Sequence, residues 1–138
     1  MASSPVFVGS VICKQARLTT ANTARDGSGT LTNVLTGATN GTRVDRITFV
    51  TATSGQTTVN SAQVFRVFIS NTSGSSFRLF AENAVGAVTP SASAVGARAQ
   101  IVFMGGLFLE NGQVLAVTQS ANAGNQDQVD VTVEGGTI

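Results

Sequence analysis

The residues able to do chemistry are few. Seven carboxylates occur (Asp26, Asp45, Glu82, Glu110, Asp127, Asp130 and Glu134), with one cysteine, Cys13, one lysine, Lys14, seven arginines and no histidine. Without imidazole, the commonest general base and the commonest metal ligand are both missing. A serine nucleophile would depend on Lys14, and no Gly-x-Ser-x-Gly elbow occurs. Two carboxylates suffice for glycoside hydrolysis. Here, however, the acids fall at polar positions of alternating segments or beside turns, where solvated carboxylates lie. Asp127 and Asp130, with Asn125, offer oxygen ligands suited to calcium, but their spacing is not that of a twelve-residue calcium loop. Cys13 alone rules out an internal disulfide and a cysteine-rich zinc site. The glycines do not form a phosphate-cradling pattern, since Gly27 and Gly29 lead into a threonine-rich segment. The expectation is a protein with no catalytic residues, no cofactor and no metal.

The arginines are the remaining polar feature. Arg43 and Arg46 flank Asp45, and Arg66, Arg78 and Arg98 lie within apolar runs. Two readings stay open. These arginines form cross-strand pairs with carboxylates, or they mark subunit contacts, which favour the planar guanidinium. The net charge is +1, too small and too dispersed for a phosphate-backbone footprint. Nucleic acid is therefore not expected as a partner.

The elements that must position these residues read as strands. The chain has 138 residues, 42% of them hydrophobic and 11% charged, with 15 glycines, and all eight aromatics are Phe. Valine and threonine are abundant and the helix formers Glu and Lys scarce, the composition of a β domain. Short apolar runs at 29–36, 43–52, 63–70, 76–84, 98–104, 107–110, 113–119 and 128–134 are separated by turn clusters. In the last run Val129, Val131 and Val133 alternate with Asp130, Thr132 and Glu134, which predicts one buried and one wet face. Phe77, Leu79 and Ala81 alternate likewise with Arg78, Phe80 and Glu82. Residues 63–70 are apolar on both sides of Arg66, so both faces of that strand should be covered. Asn111-Gly112 has the composition of a type I′ hairpin turn. Eight strands on this spacing predict an all-β, two-sheet β-sandwich of jelly-roll type.

Residues 1–28 stand apart from the sandwich domain, residues 29–138. They carry Phe7, Val8, Val11 and Ile12, then a polar stretch ending in Asp26-Gly27-Ser28-Gly29. Two readings compete: a first strand of the sandwich, or an extended arm laid on a neighbouring subunit. The apolar stretch 5–13 is followed, not preceded, by Lys14 and Arg17, the reverse of a secretion signal's charge order. It is also far shorter than a bilayer span, so no membrane association is expected. In a reducing cytoplasm Cys13 is expected as a buried thiol.

The run Asn40-Gly41-Thr42-Arg43-Val44-Asp45-Arg46-Ile47 resembles segments of small all-β proteins encoded among the head and tail genes of tailed bacteriophages. Arg66-Val67-Phe68-Ile69, Phe77-Arg78-Leu79-Phe80, Thr89-Pro90-Ser91 and Val133-Glu134-Gly135-Gly136 are similar too, so the likeness covers about residues 19–138. The resemblance implies a capsid decoration, or cement, protein of the virion. Such a protein is made in the host cytoplasm, seated on the outer capsid surface as a homotrimer, and bound to the major capsid protein without a small-molecule substrate. Phe7, Val8, Val11, Ile12, Arg43 and Arg46 are the expected interface residues. The alternative is a receptor- or glycan-binding domain of a tail, spike or baseplate, although the Trp and Tyr that usually stack on sugars are missing.

Overall fold

The valine alternation near the C-terminus becomes a strand spanning Val129–Thr137. Val129, Val131 and Val133 are fully buried, and Asp130, Thr132 and Glu134 face outward. The computed structural model describes residues 9–52, 59–122 and 128–138, and among these it has eight strands and no helix. They are β1 (Ser10–Leu18), β2 (Thr32–Thr36), β3 (Thr42–Thr51), β4 (Gln63–Ile69), β5 (Arg78–Val85), β6 (Arg98–Leu109), β7 (Val114–Gln119) and β8 (Val129–Thr137).

Two four-stranded antiparallel sheets face each other, in the orders β1-β8-β3-β6 and β2-β7-β4-β5. The pairs β1·β8, β2·β7, β3·β6 and β4·β5 are those of one long hairpin whose tip lies between β4 and β5. Rolling that hairpin up adds the contacts β3·β8 and β4·β7. This is the strand order of an eight-stranded jelly roll, so the expected sandwich is the observed one.

The core lies between the sheets. Phe49 of β3 and Phe65 of β4 stack across it with ring centroids 4.7 Å apart and planes 3° from parallel. Around them Val44, Ile47, Val67, Leu109, Leu115 and Val117 are fully or almost fully buried. In β4, Phe65 and Val67 fill the core while Arg66 and Phe68 are buried on the other side, as the two-sided apolar run requires. Gly135 is dictated by close approach, because a methyl group there would collide with the Arg43 carbonyl of the neighbouring strand.

Three local expectations are corrected. Residues 98–104 and 107–110 are one strand, β6, because both halves pair with β3; the residues between them bulge out, with Gly105 and Gly106 at φ of 81° and 89°. The count of eight survives because residues 10–18 supply β1. Asn111-Gly112 is not a β-hairpin turn: β6 and β7 belong to opposite sheets. Only Gly112, with φ of 85°, has the positive angle there, and Gln113 N–H donates to the Glu110 carbonyl at 3.1 Å, the signs of a type II turn. Cys13 is exposed rather than buried, because it lies on the outward side of an edge strand.

Candidate interaction surface

The two outer faces of the sandwich differ. On the β2-β7-β4-β5 sheet, Phe68, Ala116 and Thr118 are almost wholly inaccessible and Arg66 is 8% exposed, although their side chains point away from the core. The β1–β2 connection, residues 19–31, accounts for this. It leaves along the β7 edge, where Asn22 N–H donates to the Gln119 carbonyl at 2.8 Å. It then crosses to β5, where Arg25 pairs with Glu82 at 2.9 Å and Gly27 sits against the Phe77 carbonyl too closely for any side chain. Asn22 holds this strap together. Its Nδ2 donates to the Ser28 and Thr30 carbonyls at 3.0 and 2.9 Å, and its Oδ1 accepts from Ala24 N–H at 2.9 Å.

On the β1-β8-β3-β6 sheet the outer side chains stand in cross-strand rows set by the register. Val11, Gly136, Arg43 and Phe108 form one row, and Cys13, Glu134, Arg46 and Val102 the next. The third is Gln15, Thr132, Thr48 and Gln100, in which each glutamine amide donates to its neighbouring threonine hydroxyl at 3.4 and 3.2 Å. The fourth is Arg17, Asp130, Val50 and Arg98. Ion pairs follow the rows: Arg46 pairs with Glu134, and Arg17 donates from Nε and Nη2 to the two Asp130 oxygens at 2.7 and 3.0 Å. Arg43 pairs with Asp45 of its own strand at 2.9 Å. Between these charges, Val11, Val50, Val102, Met104 and Phe108 are exposed.

The hydrogen bonds from Arg17 hold Asp130 below the ordinary aspartate range, and Arg17 is raised in turn. Hydrogen bonding to Glu134 raises Arg46 likewise. Asp26, in the strap, is lowered by hydrogen bonds from the Ser28 hydroxyl and N–H. These shifts belong to paired surface charges and do not mark a general acid or base.

Of the residues expected at an interface, Val11, Arg43 and Arg46 come together on this outer face. Ile12 is turned the other way, packing against the core from the next position in the strand. Phe7 and Val8 lie outside the described residues, as do Asn125 and Asp127. Of the five arginines left open by the sequence, Arg46 and Arg66 form in-register cross-strand pairs with Glu134 and Glu82, and Arg43 pairs within its own strand; Arg17, outside that set, pairs across strands with Asp130. Sequence reading missed Phe80, Val102, Met104 and Phe108. For Val102 and Met104 the signal was the run 101–104, apolar on both faces, hidden once Gly105-Gly106 is taken for a turn.

The clefts of this region offer little chemistry. One, about 350 Å³, lies between Asn40, Phe108, Glu110, Asn111 and Ile138 and is lined by one acidic side chain. Another, about 330 Å³, is lined by Gln15, Ala16 and the paired Arg17 and Asp130. Among the described residues no three His, Cys, Asp or Glu side chains gather as metal ligands, and no helix is long and apolar enough to cross a membrane. Comparison with protein-family models, curated proteins and solved structures gives no match.

Proposed function

We propose that this chain is a phage virion structural protein. In this reading it is a capsid decoration, or cement, protein that binds the outer capsid surface as a trimer and stabilises the head without acting as an enzyme. The observation that carries the reading is the inequality of the two faces. One sheet is strapped by its own chain, while the other leaves open an outer surface of paired charges and exposed apolar side chains, including Val11, Arg43 and Arg46. Such a mixed surface suits a contact between proteins that each fold alone. The jelly roll is a weaker support, by analogy only, since capsid and lectin domains both use it.

The mechanical logic is simple. Each protomer adds contacts whose rupture must accompany expansion of a pressurised shell, and in a trimer the second and third protomers bind at high effective concentration once the first has docked. A trimer also fits threefold positions of an icosahedral lattice.

The test is cosedimentation of the purified chain with undecorated heads of the phage or prophage whose genes flank it, together with mass spectrometry of purified virions. Saturable binding and presence in heads are expected, and Arg46→Glu should weaken binding. Absence from virions and no binding to heads would overturn the proposal. A glycan-array signal in their place would move the chain to the tail or spike reading.

A further inference from the structure

The sandwich has two open sides, and they are built differently. At one side β1 is the edge strand. Its inward series is Ile12, Lys14, Ala16 and Leu18, with Lys14 opposite the fully buried Val133. A charge on the core-facing side of an edge strand is a device that blocks pairing with another sheet. The sole lysine of the chain therefore guards this edge.

The other side, where β5 meets β6, carries no such charge. The inward series of β6 is Ala99, Ile101, Phe103, Leu107 and Leu109, and the outward positions Val102, Met104 and Phe108 are 57%, 94% and 55% exposed. Phe80 of β5, 49% exposed, reaches the Phe103 ring with centroids 5.7 Å apart and extends the apolar strip across the seam. The bulge at Gly105-Gly106 pushes Met104 out from the strand. We infer that this β5–β6 seam, formed by Phe80, Val102, Phe103, Met104 and Phe108, is the surface through which copies of this chain associate with one another. The inference rests on the oligomeric part of the proposed function and assigns that part to a surface.

A second copy is the occupant the observations favour, for three reasons. The side chains of the strip itself are uncharged, and the arginines beside it, Arg43 against Gly106 and Arg46 next to Val102, are already paired with Asp45 and Glu134, so identical copies meet there with little net repulsion. Its composition is that of permanent self-association, which is more apolar than contacts between proteins that must also exist apart. Its size is also adequate. Two half-exposed phenylalanines with Val102 and Met104 present on the order of 400 Å² of apolar surface, the scale of a functional patch. Two such strips form about half of a standard interface of roughly 1,600 Å², leaving Arg43, Gln100 and Glu82 to supply the polar rim.

The experiment is sedimentation velocity and light scattering on the full chain, with Met104→Glu and Met104→Glu/Phe108→Glu beside it. Lys14→Glu, which adds a carboxylate at the guarded edge, is the control. The expected result is a trimer for the unaltered chain and for the control, with association weakened about a hundredfold in the double variant. Met104 is almost fully exposed, so the single variant reports even if the double one fails to fold. An unaltered chain that is monomeric at high concentration, or a folded Met104→Glu chain that stays fully trimeric, overturns the inference. A monomer that still binds heads would leave the virion reading standing. A trimer that breaks at the seam but ignores heads would support the seam and sink the virion reading.

Discussion

At the scale of single residues, the Phe49–Phe65 stack carries the most weight, because one ring comes from each sheet and both are fully buried. Phe65→Ala removes a large apolar side chain and leaves a cavity that neighbouring strands can only partly close. Chemical denaturation should show a loss of about 3 to 5 kcal/mol with an unchanged slope. Asp130 gives a prediction with a definite sign. Its pKa is depressed by the Arg17 hydrogen bonds, so in acid the folded chain binds fewer protons than the unfolded one. The pair's contribution is present above the ordinary aspartate value of about 3.9 and disappears as pH falls through the lower folded value. Thermal melts between pH 5 and pH 2 should therefore fall less steeply for Asp130→Asn than for the unaltered chain. The variant's deficit should be seen at neutral pH and should vanish in acid. A deficit of equal size at every pH would show that the pairing is not its cause. Because both partners are largely exposed, the effect belongs to the small class of surface pairs.

At the scale of elements, much was legible wherever periodicity was strict. The Val129, Val131 and Val133 series alone gives the buried face of β8, and the apolar positions on both sides of Arg66 reveal that β4 is covered twice. What was hidden depends on contacts between distant segments. Nothing near Asn111-Gly112 states that the strands on either side belong to opposite sheets. Gly105-Gly106 reads as a turn until β3 is seen to pair with both halves of β6. Of the candidate surface, Arg43 and Arg46 were found because their charge stands out locally, while Val102, Met104 and Phe108 were missed because their exposure is set by strand order. The β1–β2 strap is the clearest example of this limit, since its sequence is polar and turn-rich and yet it covers the outer side of β4 and β7, where Arg66, Phe68, Ala116 and Thr118 are buried. Asn22 fastens it with three hydrogen bonds. Asn22→Ala leaves those backbone groups unpaired in a nearly closed space and should destabilise the chain by about 2 kcal/mol. Hydrogen exchange should localise the change, with amides of 19–31 losing protection and those of β3 and β8 keeping it. Uniform loss across the sandwich would mean that the strap does not open on its own.

At the scale of the whole molecule, the jelly-roll order joins the first strand to the last, so Leu18 pairs with Val129 only after nearly the entire chain has been gathered. Closing loops of that length precedes the contacts that reward it, which places such sandwiches among slow folders, at milliseconds to seconds. Until β1 docks on β8 the growing sheet has unguarded edges, and afterwards Lys14 closes one of them. A net charge of +1 adds little repulsion between chains meanwhile. Refolding by dilution should therefore show a folding phase in that time range and a yield that falls as protein concentration rises. Lys14→Val should sharpen the loss. It removes the inward charge from an edge strand whose neighbours Ile12 and Ala16 are already apolar, which converts β1 into a surface able to pair with another sheet. Light scattering during refolding should rise earlier and at lower concentration in that variant, while its unfolding free energy, measured dilute, should stay within about 1 kcal/mol of the parent value because an exposed edge position carries little of the fold. Equal scattering in the two chains would assign the guard to some other feature of the β1 edge and would remove the asymmetry from which the β5–β6 seam was inferred.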